Sequence, residues 1–263
     1  MANRILFDRV GKRFEPTRGG SVVTALEGLS LAIADRSFVC LVGPSGCGKS
    51  TLLNLLAGFE KPTAGQVLLD GRPVRGPAPD RGVVFQEAAL FPWLTVLDNV
   101  CYGPRRRRVP RSSYIPAARA LLEQVGLARF ADNYPNELSG GMRQRTAIAR
   151  ALVNDPEVLL LDEPFGALDA QTRSMMQELL LAIWERHHRT VLFVTHDVEE
   201  AVFLADRVIV MSRAPGRIMA DVTIDLPRPR SFEVLTEPAF TAYKRDVLTL
   251  VRQEARAVAG ERD

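Results

Sequence analysis

The stretch Gly43-Pro44-Ser45-Gly46-Cys47-Gly48-Lys49-Ser50-Thr51 constrains this chain more than any other. It follows the apolar run Phe38-Val39-Cys40-Leu41-Val42 and precedes Leu52-Leu53-Asn54-Leu55-Leu56-Ala57-Gly58, whose spacing predicts a buried helix closed by glycine. Strand, glycine loop, helix is the setting in which a backbone curls so that successive amides point at a phosphate chain, with the helix start adding partial positive charge. Lys49 would then reach the terminal phosphates and the Ser50 hydroxyl would ligate magnesium. Cys47 reads as a small residue contributing its amide rather than as a reactive thiolate.

The rest of the chain alternates short apolar runs with helical patterning, which predicts an α/β fold. Ile5, Phe7 and Val10 alternate as a half-covered strand, and glycines 19 and 20 read as a turn. Val22 to Leu26 and Leu29 to Ile33 read as an antiparallel pair, and Gln66 to Leu69 as a strand ending in the turn Asp70-Gly71. From Glu87 to about Asn154 the pattern turns helical, as in an inserted helical subdomain. Pro116 is expected at a helix start, Gly126 at that helix's end, and Ser139 as the cap of the next. The runs Val158 to Leu161 and Val191 to Val194 are apolar at every position, as parallel strands buried on both faces require. Asp197 and Glu200 read as a capping box. The expected division is a main domain over 1–235, interrupted by the helical part at 87–154, and a helical extension over 236–263.

Polar residues at strand ends supply the candidate chemistry. Asp162 and Glu163 follow a buried strand directly, where such sheets bind ligands. Asp162 is placed to hold magnesium and Glu163 to orient or deprotonate an attacking water. Gln86 and His196 also follow strands; the strand before His196 is expected beside the acidic one. Gln86 offers an amide to the metal and water, and His196 an imidazole to the terminal phosphate. In Asn136-Glu137-Leu138-Ser139-Gly140-Gly141-Met142-Arg143-Gln144-Arg145, a serine and two glycines expose a helix start that is either an ordinary cap or a second anion site.

The order of these motifs resembles the ATP-binding subunit of an ATP-binding-cassette transporter, with Leu138-Ser139-Gly140-Gly141 matching that family's signature. The resemblance covers roughly Ile5 to Ile224. It implies a P-loop ATPase fold: a parallel-core sheet, an antiparallel β subdomain and an inserted helical subdomain. It implies ATP and Mg2+ as cofactors, and a second copy of the chain whose Ser139, Gly140 and Gly141 close over ATP held on the first copy's phosphate loop. Asp169 would line that interface, and Phe14 would stack on adenine. Met142 departs from the glutamine commoner in the family.

Asp80 to Gln86, Leu90 to Val96, Pro164 to Asp169 and Ala214 to Ile218 are similar to the importer ATPases for nitrate, sulfonate and taurine. Transmembrane permease subunits would then be direct partners and a solute-binding protein an indirect one. The expected place is the cytoplasmic face of the inner membrane, as a peripheral subunit. Ala88, Leu90, Phe91 and Trp93 are candidates for a docking surface, with internal packing the alternative for the two aromatics.

The net charge of +3 is too small to argue for nucleic acid, and no apolar run approaches a membrane span. Cys40, Cys47 and Cys101 lack metal-ligand spacing. The basic cluster Arg105 to Arg108 with Arg111 reads either as a solvated loop or as a surface near anionic headgroups. A repair or translation cassette would carry a long coiled-coil insertion or a second cassette. A kinase or GTPase would not need the signature stretch. An exporter subunit would differ in its partners.

Overall fold

The structure is a computed structural model and describes residues 3–16 and 21–259. The expected turn at glycines 19 and 20 lies outside the described residues. The chain forms two compact units, one made of the chain up to Ala78 together with that from Thr190 onward, the other of Pro79–Arg189.

The first unit begins with β1 (Asn3–Phe14), β2 (Val23–Ala34), β3 (Phe38–Val42), α1 (Lys49–Ala57), β4 (Ala64–Leu69) and β5 (Arg72–Pro73). The second contains β6 (Arg81–Val84), α2 (Val96–Arg106), α3 (Arg111–Gln124), α4 (Gly140–Leu152), β7 (Val158–Asp162) and α5 (Ala170–His187). The first unit resumes with β8 (Thr190–Val194), α6 (Val198–Leu204), β9 (Arg207–Met211), β10 (Ile218–Thr223) and α7 (Pro238–Ala259).

In the first unit β2, β1, β4 and β5 make an antiparallel sheet in that order. The central strand β3 pairs parallel with β8 on one side and β9 on the other, and β10 runs antiparallel to β9. Every residue of β3 and β8 is buried, so a continuous apolar run replaces the alternation of a one-sided sheet. In the second unit β6 and β7 pair in parallel and α2, α3 and α4 carry the helical stretch.

Two sequence expectations change. Val22 to Leu26 and Leu29 to Ile33 are not a hairpin but one strand, β2, paired along its length with β1. Gly28 adopts φ +59°, and between Val10↔Leu29 and Lys12↔Leu26 the ladder gains one residue on β2, so the glycine absorbs a bulge rather than a turn. Pro116 lies inside α3, which starts at Arg111 after Pro110. Its missing N–H removes the bond to the Ser112 carbonyl, and its ring crowds that carbonyl, so the second turn of α3 bears the cost of an interior proline. Gly126 ends α3 with φ +67° as expected, its N–H donating to the Glu123 carbonyl at 3.0 Å.

The three cysteines are buried and form no disulfide. Burial pushes the Cys40 thiol well up and the Cys101 thiol to about 11, which suits packing rather than thiolate chemistry. Among the described residues no helix is long and apolar enough to cross a membrane.

Candidate active site

In the first unit the phosphate loop follows β3 directly. Gly43, Gly46 and Gly48 take φ +154°, +76° and +94°, and α1 begins at Lys49 without a side-chain cap or an acidic residue in its first turn. The Lys49 ammonium, only 6% exposed, donates to the Gly43 and Pro44 carbonyls at 2.8 and 3.0 Å. Its charge is held by the loop it would serve, which keeps the loop curled. The Cys47 side chain is wholly buried, so this position offers the loop surface only backbone. Ser45 and Ser50 are exposed, and Pro44 and Thr51 are half-buried.

The parallel register Leu41↔Val194 brings the ends of β3 and β8 to one edge of the sheet. The phosphate loop and His196 leave from that edge, and His196 is exposed. Its neighbours fix the backbone: Thr195 Oγ1 accepts from the Asp197 N–H at 3.0 Å, and Asp197 caps α6 by accepting from the Glu199 and Glu200 amides. Phe14, at the end of β1, is 37% exposed, with the Lys12 ammonium 4.7 Å from its ring centroid.

In the second unit the register Val84↔Leu161 likewise releases Gln86 and the pair Asp162-Glu163 from one edge. Asp162 is half-buried, and Glu163 stands at φ +44°, a left-handed conformation costly for a glutamate. The turn that follows is tied by Gly166 N–H donating to the Glu163 carbonyl at 3.1 Å and is anchored by buried Phe165. A Cβ at Gly166 would lie 3.5 Å from Gln86 Nε2 and 3.7 Å from Glu163 Oε2, so the amide and the carboxylate flank the same small residue.

Ser139 caps α4, its Oγ accepting from the Met142 N–H at 3.3 Å. Asp169 caps α5 by accepting from Thr172 N–H at 2.9 Å, and that backbone hydrogen bond holds its carboxyl below the ordinary aspartate value. A cavity of about 480 Å³ gathers Gln86, Leu90, Gly140, Arg143, Pro164 and Leu168, so the Gln86 loop, the signature start and the turn after Glu163 share one opening. Two residues given no role by sequence reasoning hold this assembly. Gln144 Nε2 donates to the Phe85 carbonyl at 3.1 Å, and Arg150 donates to the Ala88 and Ala89 carbonyls at 2.9 and 2.8 Å. α4 therefore grips the segment carrying Gln86. Their helical phase on α4 was the only signal, and it does not name a partner some sixty residues away.

The two candidate docking aromatics separate. Phe91 is half-buried against Tyr102, with ring centroids 4.4 Å apart, whereas Trp93 is 70% exposed. Beside Phe91 a cavity of about 360 Å³ is lined by Gly82, Phe85, Ala89, Tyr102 and Arg150.

A glycine loop ahead of a helix, carboxylates at a strand end and a serine-capped helix start are the parts that a nucleotide-hydrolysing cassette needs. The family profile described as ABC transporter matches residues 26–166. An uncharacterised ABC transporter ATP-binding protein of Methanocaldococcus jannaschii is 51% identical over 235 residues, covering 89% of this chain and 87% of that protein. The nitrate import ATP-binding protein NrtD of a Synechocystis strain is 48% identical over 260 residues, covering 95% of each. Among solved structures, the dimeric post-hydrolysis state of the ATP-binding cassette MJ0796 with ADP and Pi superposes with a TM-score of 0.73 at 34% identity. It covers 85% of this chain and all of that one. The chain belongs to the ABC transporter family, as an ATP-binding subunit that hydrolyses ATP. The resemblance to nitrate-import ATPases is borne out, and so is the P-loop ABC ATPase fold.

Proposed function

We propose that this subunit binds MgATP, pairs with a second copy of itself around two nucleotides, and spends each hydrolysis on resetting an importer for a small anion of the nitrate type. The carrying observation is Glu163, held in a strained conformation one residue beyond a buried strand with Gln86 beside it. Strain kept at a strand end marks a side chain whose aim matters more than its stability.

Lys49 exchanges the Gly43 and Pro44 carbonyls for the terminal phosphates, a swap that costs little because one set of oxygens replaces another. Ser50, Asp162 and Gln86 all offer oxygen, the donor type that Mg2+ selects, and the ion would supply charge neutralisation along the phosphates. Glu163 takes the proton of the attacking water, while His196 and Gln86 hold the water and terminal phosphate in line. Ser139, Gly140 and Gly141 close over the nucleotide of the other copy, Asp169 lines the joint, and Phe14 stacks on adenine. Closure follows from phosphate contacts shared by both copies, and hydrolysis removes them. The main domain over 1–235 and a helical extension after it remain the functional division we favour.

The cargo reading rests on the near-full-length similarity to a nitrate import subunit. Cargo contact falls to the permease subunits and a solute-binding protein, which place this chain at the cytoplasmic face of the membrane. The segment 88–93, with exposed Trp93 and the cavity beside Phe91, is the docking surface for a short permease helix.

Glu163→Gln tests the catalytic assignment. Turnover should fall by about a hundredfold or more, while ATP stays bound and a closed dimer accumulates in light scattering. Unchanged turnover would remove Glu163 from the mechanism. Nitrate delivered by the cognate binding protein should stimulate turnover in the reconstituted complex, and stimulation by an unrelated solute alone would reassign the cargo.

A further inference from the structure

We propose that Arg105, Arg106, Arg107, Arg108 and Arg111 form a contact patch for anionic lipid headgroups. All five are exposed. Asp98 lies 3.7 Å from Arg105, and among the described residues no carboxylate pairs with the other four.

The backbone concentrates these charges at one tip. α2 ends at Arg106 and is closed by Arg107 N–H donating to the Gly103 carbonyl at 3.0 Å. Arg108 N–H donates to Arg105 and Val109 N–H to Pro104, both at 3.1 Å, and after Pro110 the helix α3 starts on Arg111. Folding does not require this pattern. One or two cations complement a helix C-terminus, but consecutive ones repel each other, and Arg111 sits at the positive end of a helix dipole, where a cation is disfavoured. A cluster kept against those costs has its counter-charge outside the chain.

The charge balance favours a sheet of headgroups over a nucleic acid. The net charge is +3 and these arginines contribute +5, so the rest of the molecule carries −2. A phosphodiester longer than the tip would run onto that negative remainder, whereas a leaflet can meet the tip alone. Phe91 packs on Tyr102, three residues before Arg105, which ties the arginine tip to the segment placed against the permease. The orientation toward a leaflet rests on the docking reading above; the attraction to headgroups does not.

The purified full chain is sedimented with vesicles of phosphatidylcholine alone or mixed with phosphatidylglycerol. Binding should appear only with the mixed vesicles and weaken as salt rises. The variant R106Q/R107Q/R108Q/R111Q should lose roughly a thousandfold in vesicle affinity, with ATP affinity and circular dichroism unchanged. The matching lysine variant should keep most of the binding, because headgroup attraction needs charge rather than a guanidinium fork. Equal binding by the glutamine variant, equal binding to neutral vesicles, or tighter binding to a short RNA than to anionic vesicles would each overturn the proposal. The assay contains no permease and no turnover, so its failure is separate from any failure of the transport reading.

Discussion

At the start of α1 the backbone itself forms the cradle: three positive-φ glycines curl the loop, no side chain caps the helix, and the Lys49 cation is folded onto the loop carbonyls. At the start of α4 a serine hydroxyl already satisfies one amide, and neither Gly140 nor Gly141 takes a positive φ. The first start leaves its amides without a side-chain cap and carries its own cation, the arrangement that the proposed phosphate site requires. The second is an ordinary capped helix whose glycines leave its tip bare, as our proposal of a site completed on a second copy requires.

A single added methyl should have opposite consequences at the two helix starts. At Gly48 a Cβ would stand 2.7 Å from Leu26 Cδ2 and 2.9 Å from the Ala25 carbonyl, on a backbone at φ +94°. Gly48→Ala should cost about 2–4 kcal/mol in urea unfolding and abolish nucleotide binding. At Gly140 the nearest atom is 3.7 Å away, so Gly140→Ala should stay within about 0.5 kcal/mol of the parent while reducing turnover through the copy it faces. If Gly140→Ala unfolds the protein as readily as Gly48→Ala, the distinction is lost.

A smaller effect separates the two roles of Ser139. Ser139→Ala should lose about 1 kcal/mol of stability with the cap, whereas Ser139→Asn should restore that stability and still depress turnover, because its amide caps but crowds the bare tip. Recovery of both quantities in the asparagine variant would reduce Ser139 to a cap.

The smallest handle is pH, and it turns on α5, whose cap is charged. The Thr172 amide holds the folded Asp169 carboxyl below 3.8, so its contribution is complete above the unfolded value and fades as pH falls through the folded one. Amide exchange at Thr172, corrected for intrinsic rates, should accelerate below pH 3.8 while exchange at Met142, on the serine cap, stays level. Asp169→Asn should flatten the Thr172 profile, and a parallel rise at both amides would mean general acid unfolding.

Local chemistry was readable from the chain where it depends on near neighbours. The phosphate loop, the apolar runs of β3, β7 and β8, the Asp70-Gly71 turn and the Ser139 cap each follow from a few adjacent residues, and all appear in place. The break at Glu27-Gly28 is equally compatible with a turn or a bulge, and only the neighbouring β1 selects between them. Pro116 misled because helix starts are set by competition among several candidate first turns, which Arg111 wins.

Near-neighbour chemistry is enough to supply the glycine loop, the caps and the strand-end carboxylates, because each is a short-range arrangement. Which of those groups meet is set by long-range packing. The grip of Gln144 and Arg150 on carbonyls near Gln86, and the approach of Gln86 and Glu163 around Gly166, join residues dozens of positions apart. Such contacts are fixed by how helices and strands pack to bury their apolar faces, a constraint spread over the whole core and written in no single stretch of it.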